Sequence, residues 1–333
     1  MICEETRTDL GGISFLWLEV TAKCNLECLH CYADSGPRLP LLGKMRAEDW
    51  LSVIRESSDL GCRQIQFIGG EPTLHPDLAQ MIEFASGCGY GFIEVFTNAV
   101  ALSEHLLGRF VRFGVRVATS FYSDDPAIHD LITGHPGSFE RSLGVLKRIV
   151  AAGLRVRAGI IETSANVGHA ERAWLFLDRI GISDVNIDVQ RAVGRGGRGS
   201  DRSGGMSDLC GECWKGKLCV TSSGKVYPCV FSRFAEVGTL ENGLRRILAG
   251  RELLTFRDSL RTSRAVPPVS GAPEVQPVYG QTGPCNPRCS PCGPRDFNKC
   301  MPVEATGPCG PDALCVPTSI CSPNVVCGPT LQR

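Results

Sequence analysis

The feature that most constrains the fold is the alternation of short β-branched runs with longer helical segments over residues 1–200. The runs that predict strands are Phe15–Val20, Gln64–Ile68, Phe92–Phe96, Val115–Ser120, Val156–Ile161 and Val185–Val189. Between them, apolar residues recur with helical spacing in Ala47–Leu60, Asp77–Ala85, Ser103–Phe113, Phe139–Ala152 and Ala170–Ile180. Such alternation predicts repeated βαβ units and a parallel sheet. Six units are too few for a closed eight-unit barrel. The sequence therefore predicts an α/β fold, a partial (β/α)6 TIM-like barrel with a small cysteine-rich C-terminal domain.

The composition changes after the barrel region. Gly194–Gly205 is rich in glycine and arginine and predicts a flexible connection. A hairpin-like stretch follows at Leu218–Cys229, with its turn at Ser223-Gly224. The predicted domains are the barrel at 1–200, a first cysteine-containing half at 207–260, a Pro-rich linker at 261–284 and a cysteine/proline-rich segment at 285–333.

The last segment contains a short repeat. Cys309, Cys315, Cys321 and Cys327 are spaced by six residues, and each is followed by proline two positions later. Proline at this density excludes helix and central strand. Two interpretations stay open, a tail ordered by bound metal and an unfolded low-complexity tail.

The number of cysteines indicates metal ligands. The chain has 18 cysteines in 333 residues, and its start, MICEETRTDLGG, lacks the basic and apolar parts of a signal peptide. A cytoplasmic protein is therefore predicted, and clustered cysteines in a reducing cytosol favour iron–sulfur or metal sites over disulfides.

Charge and hydropathy argue against two classes of partner. Lys plus Arg number 35 and Asp plus Glu number 35, so the formal net charge is zero and gives no electrostatic reason to expect nucleic acid. No apolar run approaches the roughly 18 residues that a membrane span needs, so no membrane partner is expected.

Three cysteines follow the first predicted strand with C-x3-C-x2-C spacing. Cys24, Cys28 and Cys31 lie where α/β folds place ligands, beyond the carboxyl end of a strand. Three thiolates this close can hold three corners of a [4Fe–4S] cluster, which usually takes four cysteines. One iron is then left open for a substrate or cofactor.

With Gly69-Gly70-Glu71-Pro72 after the second strand, this motif resembles the radical S-adenosylmethionine (SAM) superfamily. The resemblance implies that SAM chelates the open iron and is cleaved reductively to a 5′-deoxyadenosyl radical. It also implies that the GGEP segment holds the methionine amino group, with Glu71 as hydrogen-bond acceptor.

Polar residues end the third and fourth predicted strands. In related enzymes such positions contact the ribose and carboxylate of SAM, so the resemblance implies cofactor contacts for Thr97, Asn98 and Ser120. Ordinary capping of strand ends is the competing interpretation for each. The sequence identifies no catalytic side chain beyond these.

A second group of cysteines resembles the SPASM-type extension of the same superfamily, which carries auxiliary [4Fe–4S] clusters. Cys213, Gly224 and Cys229 form C-x10-G-x4-C. The later group is Cys285, Cys289, Cys292 and Cys300. Its C-x3-C-x2-C-x7-C spacing, after a long linker, departs from that pattern. The resemblance implies one or two auxiliary clusters.

The expected function is radical modification of a ribosomally synthesised peptide, giving a crosslink, an epimerised residue or an oxidised side chain. No recognisable leader-binding domain precedes the first strand, so a separate peptide-recognition protein is an expected partner. A flavodoxin- or ferredoxin-type electron donor is expected as well. Alternatives left open are oxidation or epimerisation of a small molecule such as an aminocyclitol, and sulfatase maturation. A non-catalytic iron–sulfur carrier is also considered, although GGEP would have no purpose in it.

Overall fold

Six parallel strands form most of the sheet, and each begins and ends within one residue of the predicted run. The computed structural model describes residues 11–198 and 204–265. The six strands are β1 (Phe15–Thr21), β2 (Gln64–Gly69), β3 (Phe92–Phe96), β4 (Arg116–Phe121), β5 (Val156–Glu162) and β6 (Asp184–Val189).

Helices connect these strands. They are α1 (Ala47–Asp59), α2 (Leu78–Gly87), α3 (Glu104–Arg112), α4 (Pro126–Thr133), α5 (Ser138–Ala151) and α6 (Ala170–Arg179). The sequence predicted all of them except α4, a helix of 8 residues. Asp125 begins α4 by accepting the Ala127 N–H at 2.9 Å, and proline occupies the first helical position, where no N–H is needed.

The predicted hairpin extends the same sheet. Its strands are β7 (Lys217–Thr221) and β8 (Lys225–Tyr227), which pair antiparallel, and β9 (Gly238–Thr239) follows. The strand order is β6-β5-β4-β3-β2-β1-β7-β8-β9. β7 runs parallel to β1, with Phe15 opposite Lys217 and Glu19 opposite Thr221. Two helices complete the unit, α7 (Gly243–Leu248) and α8 (Arg251–Ala265).

The two faces of the sheet differ in polarity because side chains alternate along each strand. On β1, Leu16, Leu18 and Val20 belong to the apolar core that includes residues of the helices. The alternating residue Glu19 is buried outside that core. Glu94 of β3 and Arg157 of β5 form an ion pair at 2.7 Å across β4. The second face therefore carries a buried polar layer, as expected for the interior of a curved sheet.

The predicted partial barrel is confirmed. All the described residues belong to one compact unit. Within residues 11–198 and 204–265, every helix is too short or too polar to cross a membrane. Cys285, Cys289, Cys292, Cys300 and the repeated tail cysteines lie outside the described residues, so the roles assigned to them stay predictions.

Candidate functional site

The three cysteines lie in one loop, directly after β1 and at the carboxyl edge of the sheet. The Cys24 sulfur accepts the backbone N–H of Leu26 at 3.4 Å. Within the loop, the Cys31 N–H donates to the carbonyl oxygen of Cys28 at 3.3 Å. The same loop is tied to α4, because the Glu27 N–H donates to the Thr133 oxygen at 3.1 Å.

The thiols of this loop fit an iron–sulfur cluster by their chemistry. Burial raises the pKa of Cys24 to about 12, and the Cys31 thiol adds to the rise. Burial, followed by the neighbouring Cys31 and Cys24 thiols, also raises the pKa of Cys28. Grouped thiols are the soft ligands that iron–sulfur clusters require, and metal binding must displace their protons.

The GGEP segment lies against the cysteine loop through backbone hydrogen bonds. The Gly70 N–H donates to the Thr21 oxygen at 2.7 Å, and the Glu71 N–H donates to the Lys23 oxygen at 2.8 Å. A Cβ atom on Gly70 would lie 2.1 Å from the Lys23 oxygen. Glycine is required here because the two backbone segments touch.

Replacing Gly70 by alanine should therefore displace the cysteine loop from the end of β2. We expect Gly70→Ala to lower the free energy of unfolding by about 1–3 kcal/mol, as overpacking does, and to weaken SAM binding. Urea unfolding and equilibrium dialysis with labelled SAM measure both effects.

A matched control is Gly108→Ala, because Gly108 lies inside α3 and its added Cβ would meet nothing within 4 Å. This control should raise the free energy of unfolding by roughly 0.5–1 kcal/mol, because alanine is the better helix residue. Equal stability and SAM affinity of Gly70→Ala and the wild type would contradict the close packing.

The carboxylate of Glu71 is buried and accepts four hydrogen bonds from the protein. One oxygen accepts from the Thr73 N–H at 3.0 Å, the Thr73 hydroxyl at 2.6 Å and the Thr97 hydroxyl at 2.7 Å. The other accepts the Asn98 N–H at 2.7 Å. Burial raises the pKa of Glu71, and these bonds oppose the rise. Glu71 thus joins the end of β2 to the end of β3. Pro72 begins a single helical turn there.

Ser120 lies at the end of β4, as predicted, and is joined by a tyrosine that the sequence did not single out. The hydroxyls of Ser120 and Tyr122 are hydrogen-bonded, and burial raises the pKa of Tyr122, with the Cys28 thiol adding to the rise. The Tyr122 ring contacts His30 edge-on, with ring centroids 5.0 Å apart. These two strand-end residues therefore lie beside the cysteine loop.

Part of the glycine-rich connection is ordered against the same loop, which corrects its prediction as wholly flexible. Residues Gly194–Gly197 form a helical turn. The Arg195 guanidinium donates to the carbonyl oxygens of Cys28 at 2.8 Å and Ser35 at 2.7 Å. The backbone N–H of Arg195 donates to the Cys31 carbonyl oxygen at 2.9 Å. A Cβ on Gly194 would lie 2.4 Å from the Tyr32 oxygen, which explains the glycine there.

A second group of cysteines lies near the hairpin. Cys213 and Cys229, both predicted as auxiliary ligands, come together with Cys210, which the sequence analysis did not assign. The Cys213 thiol is hydrogen-bonded to the sulfurs of Cys210 and Cys229, which raises the pKa of Cys213 and lowers that of Cys229. Cys219 is not assigned to this group, because its buried thiol is hydrogen-bonded to Glu19.

Aromatic residues connect the two cysteine groups. Tyr32, directly after Cys31, contacts the ring of Phe231 with centroids 5.2 Å apart. The Phe231 N–H donates to the Cys229 sulfur at 3.3 Å. The Arg191 guanidinium lies over the Phe231 ring, 4.7 Å from its centroid. The two groups are therefore neighbours in one packed region.

Comparisons with known proteins match part of this chain to a known family. Residues 18–167 match the family model of the radical SAM superfamily. Over 186 residues the chain is 29% identical to mycofactocin maturase MftC of Mycobacterium ulcerans (strain Agy99), which covers 55% of this chain and 49% of that protein. It is 29% identical over 197 residues to MftC of Mycobacterium tuberculosis (strain ATCC 25618 / H37Rv), covering 59% and 49%. The chain thus spans about half the length of these curated relatives.

Solved structures share the fold. Streptococcus suis SuiB superposes with a TM-score of 0.60 at 15% sequence identity, covering 76% of this chain and 70% of that chain. The structure named anSMEcpe with bound AdoMet superposes with a TM-score of 0.58 at 17% identity, covering 74% and 79%. At such low sequence identities, these superpositions show a shared fold and nothing about function.

Fold and family match agree that residues 18–167 carry a radical SAM domain, and the resemblance drawn from the cysteine and GGEP motifs is confirmed for that region.

Proposed function

We propose that this protein is a peptide maturase, which cleaves SAM reductively and abstracts hydrogen from a ribosomally synthesised peptide. The observation that carries the proposal is the juxtaposition of two cysteine groups, one after β1 and one beside the hairpin strand paired with β1. The first group would hold the cluster that serves SAM cleavage, and the second would hold a cluster that serves the substrate.

When bound, a [4Fe–4S] cluster would supply the electron for reductive cleavage of SAM. Cys24, Cys28 and Cys31 are the proposed ligands of this cluster. The chain's own residues bind and orient the cofactor: Gly69, Gly70, Glu71 and Pro72 after β2, Thr97 and Asn98 after β3, and Ser120 after β4. All these strands end at one edge of the sheet, so side chains distant in sequence face one ligand.

The proposed auxiliary ligands in the described part of the chain are Cys210, Cys213 and Cys229, and Cys285, Cys289, Cys292 and Cys300 stay proposed metal ligands by the resemblance alone. The hydrogen-bonded Cys210, Cys213 and Cys229 thiols support this assignment. Three grouped thiols beside a hairpin are one ligand short of a complete [4Fe–4S] site.

Names of related proteins support a peptide as the substrate. The curated relatives are called maturases, and one solved SuiB structure is described as bound to its precursor peptide SuiA, at a TM-score of 0.61 and 13% identity. We propose a flavodoxin- or ferredoxin-type donor and a separate peptide-recognition protein as the other partners.

Incubation of the anaerobically reconstituted enzyme with SAM, dithionite and the short peptide encoded beside its gene tests the proposal. Mass spectrometry should find 5′-deoxyadenosine and a peptide lighter by two hydrogens, or an epimer at unchanged mass that chiral amino-acid analysis detects. Modification of an aminocyclitol or a sulfatase peptide instead would replace the peptide maturase by the corresponding alternative.

A further inference from the structure

Asn98 occupies a position that connects the end of β3 to the first cysteine of the cluster loop. Its side-chain amide donates to the Asn25 oxygen at 2.7 Å and to the Cys24 sulfur at 3.5 Å. Asn98 and Cys24 are 74 residues apart in the chain, so this contact depends entirely on the fold.

The orientation of this amide is determined by its neighbours. The Asn98 side-chain oxygen accepts the Val100 N–H at 2.9 Å, and an N–H can only be satisfied by the oxygen end of the amide. The nitrogen must then face Asn25 and Cys24. Reversing the amide would place two donors together at Val100 and two oxygens together at Asn25.

The backbone around Asn98 is held firmly as well. Its N–H donates to Glu71 at 2.7 Å, and its carbonyl oxygen accepts the Ser142 hydroxyl at 2.9 Å. The next residue, Ala99, has a φ of +56°, a left-handed conformation that non-glycine residues adopt only where the surroundings enforce it. The buried Glu71 carboxylate is thus part of what fixes Asn98 in place.

We infer that Asn98 is a positioning residue that sets the reduction potential of the cluster by donating an N–H···S hydrogen bond to Cys24, and that Glu71 acts through it. Hydrogen bonds to ligand sulfurs withdraw electron density from an iron–sulfur cluster and raise its potential. This inference rests on the proposed function, since it needs a cluster on Cys24, Cys28 and Cys31. It gives Glu71 and Asn98 a role that neither requires nor replaces a contact with SAM.

The test is a redox titration of the reconstituted full-length protein, followed by electron paramagnetic resonance. Addition of SAM identifies the relevant signal, because SAM alters only the signal of a cluster with an open iron. We expect Asn98→Ala to shift the midpoint potential of that cluster to more negative values with iron content unchanged. Asn98→Asp keeps the size and the oxygen facing Val100 but replaces the donor, and it should shift the potential in the same direction.

Two further variants separate this role from general loosening of the loop. Glu71→Gln loses one carboxylate oxygen that accepts the backbone N–H of Asn98. It should shift the midpoint potential to more negative values, as Asn98→Ala does. Ser142→Ala removes a hydrogen bond to the backbone of the same residue but leaves the side-chain amide in place, so its potential should match that of the wild type.

The outcomes are distinguishable. An unchanged potential in both Asn98 variants, with the SAM-sensitive signal present, overturns the inference while leaving the proposed function standing. Loss of SAM affinity at unchanged potential also overturns it and assigns Asn98 to direct SAM contact. Absence of any SAM-sensitive signal in the wild-type protein refutes the proposed function itself.

Discussion

Replacing Cys24, Cys28 and Cys31 together by alanine is expected to abolish the release of 5′-deoxyadenosine from SAM in the presence of dithionite. The rate should fall by more than about 1,000-fold, since enzymes accelerate their reactions by at least about 10⁶-fold and this variant lacks the ligands of the reacting centre. The product is quantified by chromatography of anaerobic reactions.

The matched control for this loss replaces two cysteines that have no ligand role. Cys62 is buried in the apolar core, and Cys88 is partly buried beside it at the end of α2. The double variant Cys62→Ala, Cys88→Ala should retain 5′-deoxyadenosine release. Undiminished release by the triple variant would show that the radical does not originate at this loop.

The variant that lacks Cys24, Cys28 and Cys31 should keep a [4Fe–4S] absorbance, because the second cysteine group does not depend on the first for its ligands.

A second triple variant replaces Cys210, Cys213 and Cys229 by alanine. It is expected to lose about four irons per chain, the content of one cubane. This second variant should still cleave SAM. Modification of the peptide should be lost, because that step needs the auxiliary cluster.

Iron analysis and Mössbauer spectroscopy measure the iron content and cluster type of the reconstituted wild-type and variant proteins. Cys219→Ala is the control. Cys219 lies on β7, close to Cys229, but its thiol is hydrogen-bonded to Glu19, so its loss should leave the iron content unchanged. A triple radical-site variant without any iron would refute the auxiliary cluster. Lower iron in Cys219→Ala would instead make Cys219 a ligand.

Local patterns predicted the barrel well because they depend on neighbours along the chain. Short apolar or β-branched runs located β1 to β6, and thiol spacing located the loop from Cys24 to Cys31. The helix α4 was missed because its 8 residues contain barely two turns, too few for a helical period to stand out.

Contacts that depend on the fold could not be predicted. Arg195 reaches Cys28 across 167 residues, and Asn98 reaches Cys24 across 74. Spacing in the sequence carries no information on such distances. Cys210 was left unassigned for a similar reason, since its C-x2-C spacing to Cys213 is shared by zinc and iron–sulfur sites. The glycines at 194–197 were interpreted as flexible, although they permit close approach of backbones.

The pairing of β7 with β1 has a consequence for synthesis of the protein. Phe15 can pair with Lys217, its partner in the sheet, only after Lys217 has been synthesised. At ordinary rates of translation, synthesis of the intervening residues takes on the order of 10–40 s. During that interval, the apolar edge of β1 is without its partner and is open to pairing with other chains. The topology therefore determines an order of assembly: the loop that carries Cys24, Cys28 and Cys31 is made early, but the strand that completes its side of the sheet is among the last to arrive.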